Sequence, residues 1–169
     1  MLIMRHELLL ITVTVILLLV EIFLPHDKKD RIILPAILMM AVVVVLGFLP
    51  GPTGTLFGGM YQTAALNIMF KNILNIGALI VIIQSAEWLK KSENAEKVGE
   101  YYILLLSTLI GMEYMVSAGD FLMFYLGLEL ATIPLAALAA YERFKEKSAE
   151  AGVKLIFSSA LSSSLQFSF

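Results

Sequence analysis

The chain has 169 residues, 59% of them hydrophobic and 15% charged, with a formal net charge of −2 and a mean hydropathy of +0.87. A soluble domain of this size carries about 25% charged residues and cannot hide so much apolar surface in one core, so composition points to an integral membrane protein. The balance of charge gives no electrostatic footprint for nucleic acid, and the absence of cysteine excludes disulfides, thiolate metal sites and cysteine nucleophiles.

A helix needs about 20 apolar residues to span the hydrocarbon core. By that measure the sequence predicts a single polytopic all-α membrane domain, with helices at about 7–24, 32–49, 65–88, 101–117, 120–141 and 151–169. Five of these are complete spans and the sixth lies at the C-terminus. The first run is long for the apolar part of a cleavable signal. "EIFLPHDKKD" after it holds no small-residue cleavage site, so it reads as a retained helix. The breaks carry turn chemistry: Pro25, "LPGPTGTLFGG", a charged linker, "SAGD", and a second charged linker. His6 and His26 lie near opposite ends of the first run and form no ligand cluster.

Basic residues predict the orientation. Lys28, Lys29 and Arg31 sit in the first linker, Lys90, Lys91 and Lys97 in the third, and Arg143, Lys145 and Lys147 in the fifth, with Lys154 at the mouth of the last helix. The second linker and the "SAGD" turn hold none, and the N-terminal tail has only Arg5. Basic loops stay cytoplasmic, which puts the N-terminus outside and Trp88 at the inner interface. The last segment, "AGVKLIFSSALSSSLQFSF", contains six serines. Serines in a membrane helix favour close packing against other helices, so the chain reads as the front portion of something larger.

Ionisable residues in the spans are the candidates for chemistry. Glu7, Glu87, Asp120 and Lys154 fall at the mouths of helices and need no special account. Glu21 is one turn from a helix end, within reach of headgroups or a structural contact. Lys71, in "IMFKNIL", has a stem long enough to reach an interface. Glu113, in "LIGMEYMVS", lies about 9 Å from the turn at Gly119 and calls for a partner or water. Glu129 is about 13 and 18 Å from the two ends of its helix, near the middle of a core about 30 Å thick. A carboxylate there costs about 2.5–3.5 kcal/mol on insertion scales. It must face protein or internal water, where it can accept and donate a proton. Pro134 has no N–H for the carbonyl of Leu130, which predicts a kink and a free acceptor beside Glu129.

"AGDFLMFYLGLELATIPLAALAAYERFKEKSAEAGVK" resembles the helix 4–6 region of subunit N of proton-translocating NADH-quinone oxidoreductase, respiratory complex I. The pattern is carried by Gly127, Leu128, Glu129, Leu130 and Pro134, then Ser148, Glu150, Ala151 and Lys154, and "MFKNILNIGALIV" is similar to the family's third helix. The resemblance implies an antiporter-like subunit of the respiratory chain, in the inner (plasma) membrane, that contributes to proton translocation coupled to electron transfer from NADH to quinone. Glu129 would be the relay carboxyl, paired with a lysine of a later helix, with Glu113 and Lys71 as further relay candidates. NADH, FMN, iron–sulfur clusters and quinone would belong to partner subunits of the complex. No cofactor, metal or catalytic site is expected in this chain, whose other partners would be lipid and protons. The family's later helices, with their lysines, lie beyond Phe169, so the chain covers its front third. An Mrp-type cation/proton antiporter subunit is the alternative, although Leu128 stands where those subunits commonly have Trp. A non-transporting remnant or membrane scaffold is a third reading.

Overall fold

The computed structural model describes residues 2–25, 31–90, 98–141 and 146–167. Its helices are α1 (Arg5–Phe23), α2 (Ile33–Gly47), α3 (Ala65–Leu89), α4 (Val98–Val116), α5 (Phe121–Ala139) and α6 (Glu146–Phe167). Between α2 and α3 lies a hairpin of two short strands, β1 (Gly54–Leu56) and β2 (Tyr61–Thr63). The protein is an all-α integral membrane protein, with this hairpin as the one addition among the described residues, in a stretch the sequence marks as a turn. Gly58 and Gly59 adopt φ values of +67° and +99° in the hairpin loop, where a side chain would be strained.

Local chemistry sets the ends. Asp120 is the N-cap of α5, its carboxylate accepting from the Met123 N–H at 2.8 Å. Arg5 donates to the Leu49 carbonyl at 2.7 Å, placing a cation over the last carbonyls of the α2 end. The hairpin is bound to the α4–α5 turn by Gln62 N–H to Ser117 O at 2.8 Å and Gly119 N–H to Met60 O at 2.7 Å. The start of α1, the hairpin and the α4–α5 turn therefore share one end of the bundle. At the other end Trp88, Tyr101 and Tyr141 gather with centroids 5.8–6.4 Å apart. The Glu21 carboxyl seats there against Gly99 at the start of α4.

α4 packs against α1, α3 and α5, while α2 lies on α3 and α6 on α5. The core gathers Leu10 and Leu17 of α1, Met40 of α2, Ile82 of α3 and Leu106 of α4. The outer faces are apolar as well: Val15, Ile22, Leu34, Ile83 and Ile133 are exposed. Helices hydrophobic all round need an apolar surrounding, and lipid supplies it. α1, α3 and α5 are each long and apolar enough to cross a membrane, and α2 is a shorter apolar helix.

Small residues set the α4–α5 distance. A Cβ built on Gly111 would stand 2.3 Å from the backbone nitrogen of Ala131, and Gly127 meets α4 in the same way at Met115. Gly111→Val must therefore push the two backbones apart. We expect a loss of about 1–3 kcal/mol or more, by the rule for overpacked interiors. Thermal unfolding in a membrane mimetic measures it, and an unchanged transition would contradict the contact.

Candidate functional site

The inward stripe of α1 runs through His6, Glu7, Leu10, Val13 and Leu17, at helical three-to-four spacing. The inward stripe of α3 carries Lys71, Asn75, Ile82, Ala86 and Leu89. Glu7 and Lys71 thus point where leucines normally point, and they meet. Lys71 Nζ lies 2.5 Å from Glu7 Oε1, and both side chains are fully buried. Tyr61, from β2, donates its hydroxyl to the same Glu7 oxygen at 2.7 Å and accepts from Lys71 at 3.0 Å. Its ring centroid is 5.2 Å from the ammonium. Burial pushes the Tyr61 hydroxyl up from its ordinary value, and the Glu7 charge adds to this while the Lys71 hydrogen bond opposes it. Tyr61 therefore remains a phenol and a donor.

Glu113, fully buried on α4, accepts from Asn75 Nδ2 at 3.0 Å. Asn75 follows Lys71 by one turn, so Glu113 belongs to the same interior. His6 Nε2 lies 3.3 Å from Asn72 Oδ1 beside it. The cluster joins α1, β2, α3 and α4.

Two expectations are corrected here. Glu7, in the first turn of α1, does need an account: it is fully enclosed because the hairpin folds over the start of that helix. Lys71 does not reach an interface, because a carboxylate waits inside. The structure brings Lys71 and Glu113 together and leaves Glu129 elsewhere. Glu129 is half-buried on the α6 side of α5, in a cleft of about 390 Å³ that also takes in Tyr125, Thr132, Ser159 and Ser164. Ser159 and Thr132 hydroxyls meet across the cleft at 3.3 Å. Pro134 lies inside α5 and does not end it. Of the mouth residues, Lys154 pairs with Glu150 at 2.6 Å on an exposed face. His26, Lys28, Lys29, Lys91, Lys97, Arg143 and Lys145 lie outside the described residues.

Glu7, Tyr61 and Asn75 are the site residues that sequence reasoning missed. For Glu7 and Asn75 a signal existed, since each shares its helical stripe with large apolar residues. For Tyr61 none did, because its position depends on how the hairpin docks.

A polytopic helix bundle that buries carboxyls and a lysine in its interior defines a class of membrane protein in which such groups mark functional sites. Residues 118–168 match the family model for the NADH:quinone oxidoreductase/Mrp antiporter transmembrane region. The NADH-quinone oxidoreductase subunit N of Phocaeicola vulgatus is 43% identical over 162 residues, 96% of this chain and 34% of that protein. That of Azobacteroides pseudotrichonymphae is 40% identical over 94% of this chain and 34% of its own length. That of Rhodospirillum rubrum is 38% identical over 94% and 33%. The chain resembles these subunits over nearly its whole length and spans about a third of the length of the curated relatives it matches.

Proposed function

We propose that the chain is the front part of a membrane-arm subunit of NADH-quinone oxidoreductase and contributes to proton translocation coupled to electron transfer from NADH to quinone. The observation that carries this is Glu129: a carboxyl in the middle of an apolar helix, half-buried in a cleft whose other polar groups are hydroxyls. Such a group takes a proton from one side and releases it to another when nearby charge changes. Pro134 supports the reading, since the Leu130 carbonyl lacks its usual N–H partner and offers water an acceptor beside the carboxyl. Lys71 and Glu113, with Glu7, form a second ionisable centre among α1, α3 and α4. The partners are other membrane subunits of the complex, one of them or a later part of the subunit supplying a lysine for Glu129.

The membrane is the plasma membrane, with the hairpin end outside. Arg31 and Lys90 at the opposite end support this by the positive-inside rule. These 169 residues contain no cysteine, so one introduced here is the only thiol of this stretch. In intact cells Thr55→Cys, on the exposed hairpin, is expected to react with a membrane-impermeant maleimide, and Lys90→Cys only after the cells are opened. The tagged chain is expected to comigrate with NADH–quinone reductase activity on native gels. The reverse labelling pattern overturns the orientation, and migration apart from the activity overturns the assembly.

A further inference from the structure

We propose that Glu113 holds a resident proton in a cyclic pair with Asn75, and that Glu113 and Glu7 exchange this proton while Lys71 changes partner between them. Glu7, Lys71, Asn75 and Glu113 are all 0% exposed. Glu7 and Lys71 neutralise each other, so an ionised Glu113 would leave one unbalanced anion in a dry interior. The hydrogen bonds point to the same proton. Asn75 Nδ2 donates to Glu113 Oε1, while Asn75 Oδ1 and Glu113 Oε2 are both buried without a hydrogen-bond partner among the described residues. Two acceptors cannot satisfy each other. A proton on Oε2 turns one of them into a donor and closes a ring of two hydrogen bonds between the acid and the amide.

Glu7 Oε2 is also buried and without a hydrogen-bond partner among the described residues. Asn75, which holds Glu113, follows Lys71 by one turn of α3, so Glu113 and the Glu7–Lys71 pair share one interior. In one state Lys71 pairs with Glu7 and Glu113 is neutral. In the other the O–H bond of Glu113 has broken, that of Glu7 has formed, and Lys71 pairs with Glu113. Lys71 remains an ammonium throughout and the net charge is zero in both states, so no unpaired charge is ever buried. The other ionisable groups facing the cluster are Arg5 and His6 from α1, Tyr61 from β2 and Tyr114 from α4. Arg5 is turned to the carbonyls after α2, and His6 to Asn72. Tyr61 supplies Glu7 with a hydrogen bond in the first state. Tyr114 is half-buried on α4 beside Glu113 and takes no part in the exchange.

The resident proton stands on geometry alone, whereas its use as a transfer step rests on the proton-translocating reading. Infrared difference spectra of the membrane-embedded complex at neutral pH test both parts. Relative to the unaltered protein, Glu113→Gln is expected to lose one protonated-carboxyl band while an amide pair with Asn75 keeps the fold. Asn75→Leu is expected to shift that band to higher frequency. Glu7→Gln is expected to lose the band too, because Lys71 then draws the charge of Glu113. Lys71→Met is expected to roughly double it, since neither carboxyl then has a cation. Full retention of the band in Glu113→Gln overturns the resident proton, and an unshifted band in Asn75→Leu overturns the cyclic pair. Retention in Glu7→Gln, or an unchanged band in Lys71→Met, overturns the exchange. Normal pumping by Glu129→Gln with this band pattern intact would sink the relay reading and leave the proton site standing. The opposite combination would do the reverse.

Discussion

Glu129→Gln, introduced into the intact oxidoreductase, is expected to lower proton translocation by about a hundredfold, the lower end of what a positioned proton-transfer group contributes. The amide has the size of the acid and still fits the α5–α6 cleft, so helix packing should be unchanged. What is lost is the ability to exchange a proton. Acidification of the lumen of inverted membrane vesicles, per NADH oxidised, measures the effect. Normal pumping would refute the relay role. Glu113→Ala is expected to lower the same ratio by less, because Glu129 stands in a separate cleft and keeps its own surroundings. Equal losses would mean that the buried cluster matters to translocation as much as the cleft, and that the ranking of the two carboxyls is wrong. The choice of ion is read in the same vesicles: transport by the unaltered protein that requires sodium would favour a cation/proton antiporter.

Lys71→Met is expected to destabilise the helix bundle by about 3–5 kcal/mol, the cost of removing one partner from a buried ion pair. The Glu7 carboxylate would keep the Tyr61 hydrogen bond and lose its counter-charge. Uptake of a proton would relieve part of this cost. In the double variant Glu7→Gln/Lys71→Met no charge is left to strand, and most of the loss should be recovered, since removing both partners of a buried pair is often close to neutral. Glu7→Gln alone should cost less than Lys71→Met, because Glu113 of α4, held by Asn75 one turn along α3 from Lys71, remains as a second counter-charge. Unfolding of all three variants in one membrane mimetic gives the coupling energy directly. Losses that simply add would show that Glu7 and Lys71 do not stabilise each other, whatever their separation.

The two carboxyls differ in how much of their setting could be read from the chain. Glu129 announces itself by position: far from both ends of an apolar run, with Pro134 one turn on, it has no route to water except through protein. Depth along a helix is a one-dimensional property, and 1.5 Å per residue is enough to obtain it. Glu7 gives no such signal. Two residues into α1, it has the depth of an interfacial residue, and only the hairpin above it removes the water. Lys71 misleads in the opposite sense, because a long flexible stem suggests escape to an interface. What holds it is a carboxylate 64 positions away in the chain.

Taken alone, the sequence determined that this is a membrane protein of several helices, roughly where those helices run, and that one carboxyl sits in the middle of the fifth. These follow from composition and from periodicity along a single helix, which need no knowledge of neighbours. Which charges meet was decided only by the tertiary structure. The hairpin docks on the α4–α5 turn and carries Tyr61 over Glu7, while the packing of α3 on α4 brings Asn75 against Glu113. A buried charge is tolerated only beside its partner, and partners on different helices become neighbours through packing rather than through sequence.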